Sequence, residues 1–333
     1  MSSSASALCV DSGKVEDHKA PNKTVTFWQK THQSVGFKKG YNLALFIVFA
    51  GAMMGFTLAR LPYLNVGGSA QSSYRNGSSP GEWYWFKSGF YRIGITIHLA
   101  AILPAGFLMV WQFVPIIRYK FLLFHRINGY LVIFLVFISN VGALMIARHA
   151  FGGSLETQAG LGVLAILSTT SICHAYYNVK QLQIDQHRAW MLRAVFYLGT
   201  IITLRIIMII SAQIITKVDS FNTVMSCGEI NSIYARSGGS YGGRYPLCSI
   251  SNAKVNQYVA VHASFQNRPE EIGASLRMSF GMALWLALAI HAIGVEVYLS
   301  LTPKESERLR QVSVERQIEM GLKVQDPRSE DEV

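Results

Sequence analysis

Charge is what this chain has least of. Asp, Glu, Lys and Arg make up 15% of its 333 residues, where a domain that folds in water carries about 25%. Of those 49 charged residues, 23 fall before Tyr41 or after Leu301, so the middle is poorer still and fits neither a secreted enzyme nor a disordered scaffold. The surplus of basic residues, 30 against 19 acidic for a net +11, forms no stripe with interleaved aromatics. That argues against a nucleic-acid partner. No apolar run precedes Leu43, so no cleavable signal peptide is expected, and the first span is expected to act as the anchor. The nine histidines and four cysteines include no His-x-x-x-His, Glu-x-x-His or Cys-x-x-Cys spacing, which argues against a catalytic metal. An internal repeat of the kind that marks inverted-repeat transporters is also missing.

What the chain does have is apolar runs long enough to span a bilayer. Six occur, near 43 to 61, 92 to 114, 127 to 147, 159 to 178, 190 to 215 and 277 to 301. The fourth is interrupted by Ser168, Thr169, Thr170 and Ser171, small hydroxyl residues that pack helix against helix. The expected fold is therefore all-α, a polytopic transmembrane helix bundle of about six spans. The organisation read from it is a disordered tail over 1–42, a bundle over 43–301 with loops 62–91 and 217–276 on one face, and a charged tail over 302–333. By the positive-inside rule both tails are cytosolic, because about 17 basic residues lie on their side and about 8 opposite.

Two features agree with that sidedness. Asn76-Gly77-Ser78 is a glycosylation sequon in the first external loop. Cys227 and Cys248 share the long external segment, where an oxidising compartment would let them pair across an intervening Gly/Ser-rich turn. Cys9 and Cys173 lie elsewhere. Gly51-x-x-x-Gly55 in the first span permits close helix packing.

Ionisable groups at membrane depth are costly, so each is a candidate for a site. At 1.5 Å rise per residue, His98, Asn140 and Arg205 fall roughly 9 to 12 Å from the external boundary on three different spans. They are expected to share one polar pocket. No intramembrane acid lies at that depth, so the donors of Arg205 would be met by Asn140, His98, backbone carbonyls or an anionic ligand. The alternative is an Arg that snorkels to headgroups. A second layer, at the cytosolic face, holds His125, Arg126, Asp185, His187, Arg188 and Arg193. Two His-Arg pairs at helix starts would form a basic pocket for a phosphate or carboxylate head. The same residues also suit plain membrane entry, with Asp185 at a helix N-terminus and Trp190 as an interface anchor. Histidine in two layers, His98 with His149 and His125 with His187, is similar to the axial pairs of di-haem cytochrome b proteins, which leaves haem open as a cofactor.

Four segments carry a resemblance to a known family. They are His98-Leu99-Ala100-Ala101-Ile102-Leu103-Pro104-Ala105-Gly106, Gln112-Phe113-Val114-Pro115, His125-Arg126-Ile127-Asn128-Gly129-Tyr130, and the run from Leu182 through Asp185-Gln186-His187-Arg188-Ala189-Trp190-Met191-Leu192 to Arg193. Together they resemble the fungal branch of a domain-of-unknown-function family of predicted polytopic membrane proteins, over roughly 90 to 300. The resemblance implies a multi-span protein and a place near fungal secondary-metabolite biosynthesis genes, and it transfers no catalytic residue.

Three functions follow as expectations. One is a membrane-embedded biosynthesis protein acting on a hydrophobic small molecule with an anionic or polar head, similar in broad layout to the fungal integral-membrane terpene cyclases. The second is transmembrane electron transfer through His-ligated haem, and the third a non-enzymatic transporter, receptor or scaffold. In each the bilayer is the first partner, and the membrane is the endoplasmic reticulum, another endomembrane or the plasma membrane.

Overall fold

The computed structural model describes residues 34–37, 40–249 and 257–322. Most of the expected disordered N-terminal tail, and the acidic end after residue 322, lie outside those residues. In chain order the helices begin with α1 (Gly40–Arg60), the short α2 (Glu82–Phe86), α3 (Gly89–Trp111), α4 (Pro115–Lys120) and α5 (Leu122–Ile146). Next come α6 (Leu155–Lys180) and α7 (Ile184–Val218), then strand β1 (Asn222–Ser226), α8 (Cys227–Ser237) and β2 (Tyr258–His262). The chain closes on α9 (Pro269–Ser300) and α10 (Pro303–Glu319). Six of these, α1, α3, α5, α6, α7 and α9, are long and apolar enough to cross a membrane, and they coincide with the six runs read from the sequence.

Small residues set the closest crossings. A Cβ on Gly142 of α5 would sit 2.7 Å from the backbone nitrogen of His98, and one on Gly94 of α3 would sit 2.9 Å from the Met145 Cβ. Glycine at both places lets α3 and α5 approach backbone to backbone. By contrast nothing lies within 4 Å of the same construction at Gly51 or Gly55, so the Gly-x-x-x-Gly of α1 serves no packing among the described residues. Ile47, Val48 and Phe49 of that helix are more than half exposed, as side chains that meet lipid tails are. The main core lies where α7 crosses α6 and α9, around Leu164, Leu204, Met208, Leu284 and Leu288.

At 35 and 32 residues, α7 and α9 run to about 50 Å each, well beyond a hydrocarbon core of about 30 Å. Their overhang carries a cap on the loop face. Between them β1 and β2 pair antiparallel, Asn222 opposite His262 through Ser226 opposite Tyr258, a small departure from an all-helical chain. Ser226 then starts α8 through a capping box with Glu229. Met225, Ile230, Val261 and Ala274 fill the cap interior beside the Cys227–Cys248 disulfide, which is the pairing the sequence led us to expect. The first loop also folds down rather than standing clear, since Val66, Tyr74 and Phe86 bury against Ile95 and Leu99 of α3. On the tail face the charged tail over 302–333 begins with α10, whose alternating charges suit a solvated helix. It docks instead, with Gln317 donating to the Gln181 carbonyl at 2.8 Å and Ser313 to Asp185 at 3.1 Å.

Candidate functional site: a buried charge cluster beneath the loop face

Because both loops fold onto the bundle, they deliver acids to a depth where the spans alone offered none. Glu82 opens α2 behind Gly81, which takes a left-handed φ of 93° that a side chain would strain. Glu229 occupies the third position of α8. Arg277, on the overhang of α9, donates to Glu229 at 2.5 Å, and the two side chains are 5% and 4% exposed. The same carboxylate accepts from Trp85 Nε1 at 2.7 Å and from the Ser226 backbone at 2.9 Å. Burial alone would push the Glu229 carboxyl up, but the Arg277 charge and these hydrogen bonds hold it below its usual range.

Glu82 is the counterexample. It is 3% exposed, and its Oε2 accepts from the Phe151 backbone at 3.2 Å while Oε1 has no hydrogen-bond partner. Burial pushes this carboxyl up to about 7, against the opposing pull of Arg277 and the Phe151 N–H. Phe151 itself is held at φ 49°, ψ 46°, a left-handed conformation uncommon for a bulky residue and a form of strain that gathers at functional sites. That backbone aims its ring flat against Phe280 at 4.2 Å. The guanidinium of Arg205 lies 4.8 Å from the Phe151 ring and 5.7 Å from that of Phe280. Arg205 is half-buried, its buried Nε has no partner, and among the described residues it donates no hydrogen bond. Arg60, Tyr63, Glu82 and Tyr74 are the groups whose charges reach it.

The other members of the expected pocket are occupied separately. His98 Nδ1 meets the Ser139 carbonyl at 3.1 Å and its hydroxyl at 3.0 Å, closing the α3–α5 contact. Asn140 donates to Ser168 at 3.1 Å and Thr169 at 3.0 Å, which puts the hydroxyl cluster of α6 to use as helix glue. Arg205 therefore keeps company with the loops, and no hydrogen bond among the described residues joins it to His98 or Asn140.

On the tail face the six expected residues also divide. Arg193 makes a bidentate pair with Glu296 at 2.7 and 2.9 Å. Arg188 reaches Thr302 and Ser306 at 3.3 and 3.5 Å, and Asp185 accepts from Ser313, so both fasten α10. His187 Nδ1 meets the Ala175 carbonyl at 2.9 Å. His125 has Arg118, His187 and Arg126 as its charged neighbours. Arg126 is exposed. The contacts of Arg193, Arg188, Asp185 and His187 thus fasten neighbouring helices, while His125 lies among positive groups that include His187. Of the four histidines expected as haem ligands, His149 stacks on Trp85 at 3.8 Å with Tyr91 edge-on at 4.5 Å, and a porphyrin at that ring would have to displace both. Among the described residues no group of three His, Cys, Asp or Glu could hold a metal ion. Asn76 of the sequon donates through Nδ2 to the Ser69 and Ala70 carbonyls, each at 2.9 Å.

The sequence reading passed over Glu82, Glu229 and Arg277, because depth counted along spans assigns loop residues to water. One signal was present: Ser226-Cys227-Gly228-Glu229 has the Ser-x-x-Glu form of a capping box.

Six apolar helices with a charged, capped interior make this an integral membrane protein. A family model described as "Predicted membrane protein (DUF2306)" matches residues 95–230, a stretch that includes Arg205 and Glu229 but stops short of Glu82 and Arg277. The chain is also 25% identical, over 314 residues, to "Ava biosynthesis cluster protein G" of Aspergillus versicolor, with 80% of this chain and 91% of that protein covered. No solved structure matches.

Proposed function

We propose that the protein is a membrane-embedded component of fungal secondary-metabolite biosynthesis that acts on a hydrophobic small molecule, and that Arg205, with Glu82 beside it, receives the anionic or polar head of that molecule. The observation that carries this reading is the Arg205 guanidinium, which lies beside the stacked rings of Phe151 and Phe280 and, among the described residues, donates no hydrogen bond. A cation at membrane depth is costly unless something compensates it, and Arg60 nearby adds a second positive charge. The apolar body of the molecule would lie against Phe151, Phe280 and the neighbouring helices. The resemblance to a protein named for a biosynthesis cluster supports a metabolic role. The disulfide and the sequon support a membrane of the secretory pathway, with the capped face lumenal and both tails cytosolic.

A deletion strain tests the reading by comparison of its organic extract with that of the parent. The expected result is the loss, or the accumulation, of a hydrophobic metabolite, restored by the wild-type gene and not by Arg205→Gln made at equal level. An unchanged extract, or full rescue by Arg205→Gln, overturns it.

A further inference from the structure

Arg205 and Glu82 do not behave as an ion pair, and the reason lies in how each is held. Glu82 spends one oxygen on the Phe151 N–H and leaves the other, fully buried, without a donor. The groups that face it are Arg277 from α9, Arg205 from α7, Glu229 from α8 and the buried Tyr74 phenol from the first loop. Of the two arginines, Arg277 is already neutralised by Glu229 at 2.5 Å. Arg205 is left facing Arg60, with aromatic rings on its flank. Among the described residues the site therefore holds a cation with no salt-bridge partner and a buried carboxyl lacking one hydrogen-bond partner on the same residue, Phe151, the first at its ring and the second at its N–H.

An anion seated on Arg205 would change the balance at Glu82. It would cancel the cation that helps keep Glu82 ionised and would add a like charge beside it, and both effects favour the protonated carboxyl. A protonated Glu82 then has an O–H to donate to the head, which provides a partner for the orphan oxygen. We propose that this site takes up an amphiphile with an oxyanion head together with a proton, the head on Arg205 and the proton on Glu82. The proposal rests on the function proposed above and adds to it the charge class of the molecule and the coupling to protons. No bond of the ligand is made or broken in this step; the proton comes from water and returns there on release.

The test uses the full chain in phosphatidylcholine nanodiscs, with 1-decanesulfonate as probe and titration calorimetry as readout. A sulfonate does not titrate, so any proton taken up belongs to the protein. Running the titration at pH 7 in buffers of low and high ionisation enthalpy measures that uptake. With Glu82 starting near half protonated, the expected uptake is roughly half a proton per probe bound, falling toward zero at pH 5. Decanol, which has the same chain and no charge, is expected to bind no better than to empty discs. Glu82→Gln keeps an acceptor for the Phe151 N–H and is expected to bind the probe with no uptake, while Arg205→Gln is expected not to bind it.

The outcomes separate the two claims. Absence of decanesulfonate binding overturns the anionic head of the proposed function, and this coupling with it. Binding with equal apparent enthalpy in both buffers, or uptake that persists in Glu82→Gln, overturns the coupling alone. Phosphatidylglycerol added to the discs distinguishes the source of the anion. If it abolishes probe binding, a lipid headgroup occupies the site and the small amphiphile is overturned as its occupant.

Discussion

Replacing Glu229 by Gln changes almost no volume and removes one charge from the most buried ion pair among the described residues. Its carboxylate now accepts from Arg277 at 2.5 Å, Trp85 at 2.7 Å and Ser226 at 2.9 Å. An amide has one oxygen to replace two, so one of these donors would meet an NH2 group. Arg277, 5% exposed, would lose its hydrogen-bonded counter-charge, leaving Glu82 as the one other carboxyl of the cluster that faces it, without a salt bridge between them among the described residues. Breaking a buried pair by removing one partner costs about 3 to 5 kcal/mol, and that is the expected loss for Glu229→Gln. The companion Glu229→Gln, Arg277→Met removes both charges and fills the volume, so its loss should be smaller than that of the two single variants added, with an interaction energy of at least about 2 kcal/mol. Denaturant unfolding in detergent, followed by tryptophan fluorescence, measures all four corners. The pH dependence has a definite sign: the folded carboxyl titrates below its usual range, so its contribution is complete above about pH 4.5 and is lost as pH falls through the folded value. The gap between wild type and Glu229→Gln should close only in that acid window. A single-variant loss under about 1 kcal/mol, or strict additivity, would refute the buried-pair argument.

Glu82→Gln should have the opposite sign. With a folded value of about 7 against an ordinary 4.5, the wild type loses roughly 3 kcal/mol as pH rises between them; the variant should therefore melt higher than wild type at pH 8 and alike below pH 4.5. Cys227→Ser with Cys248→Ser opens a loop with a sequence separation of 21, for an expected loss of about 3 kcal/mol by chain entropy, and the cap should become the first part cut by protease added from the loop face. Glycosidase treatment of protein made in a eukaryotic host is expected to shift its mobility, and Asn76→Gln to abolish the shift; a shift that survives the substitution would place the glycan elsewhere.

The spans were legible because a bilayer imposes a length and a composition that show in one dimension. The disulfide was legible for a similar reason, since only two cysteines share a face. The site was legible in part: Arg205 stood out because nothing near it in sequence could neutralise it, and the search for its partner stopped at the span boundaries. Its surroundings come from Glu82 and Phe151, residues that enter by folding back of loops, and no count along a helix reports that. Asn140 and His98 share a depth with Arg205 but face other neighbours, because depth fixes height along the bundle and leaves the direction around each helix undetermined. Gly51 and Gly55 show the same limit, a spacing suited to close packing on a helix that packs elsewhere.

The four charges of the cluster also fix a schedule. Glu82 leaves the ribosome about 200 residues before Arg277, which at about 5 to 20 residues per second is an interval of roughly 10 to 40 seconds. During that time Arg205 must enter the membrane without the aromatic wall of Phe280, and Glu229 must wait for its counter-ion. Only the insertion of α9 supplies both. A chain stalled or truncated before α9 therefore leaves Glu229 without Arg277 and Arg205 without Phe280, a difference by which membrane quality control could tell an unfinished protein from a finished one.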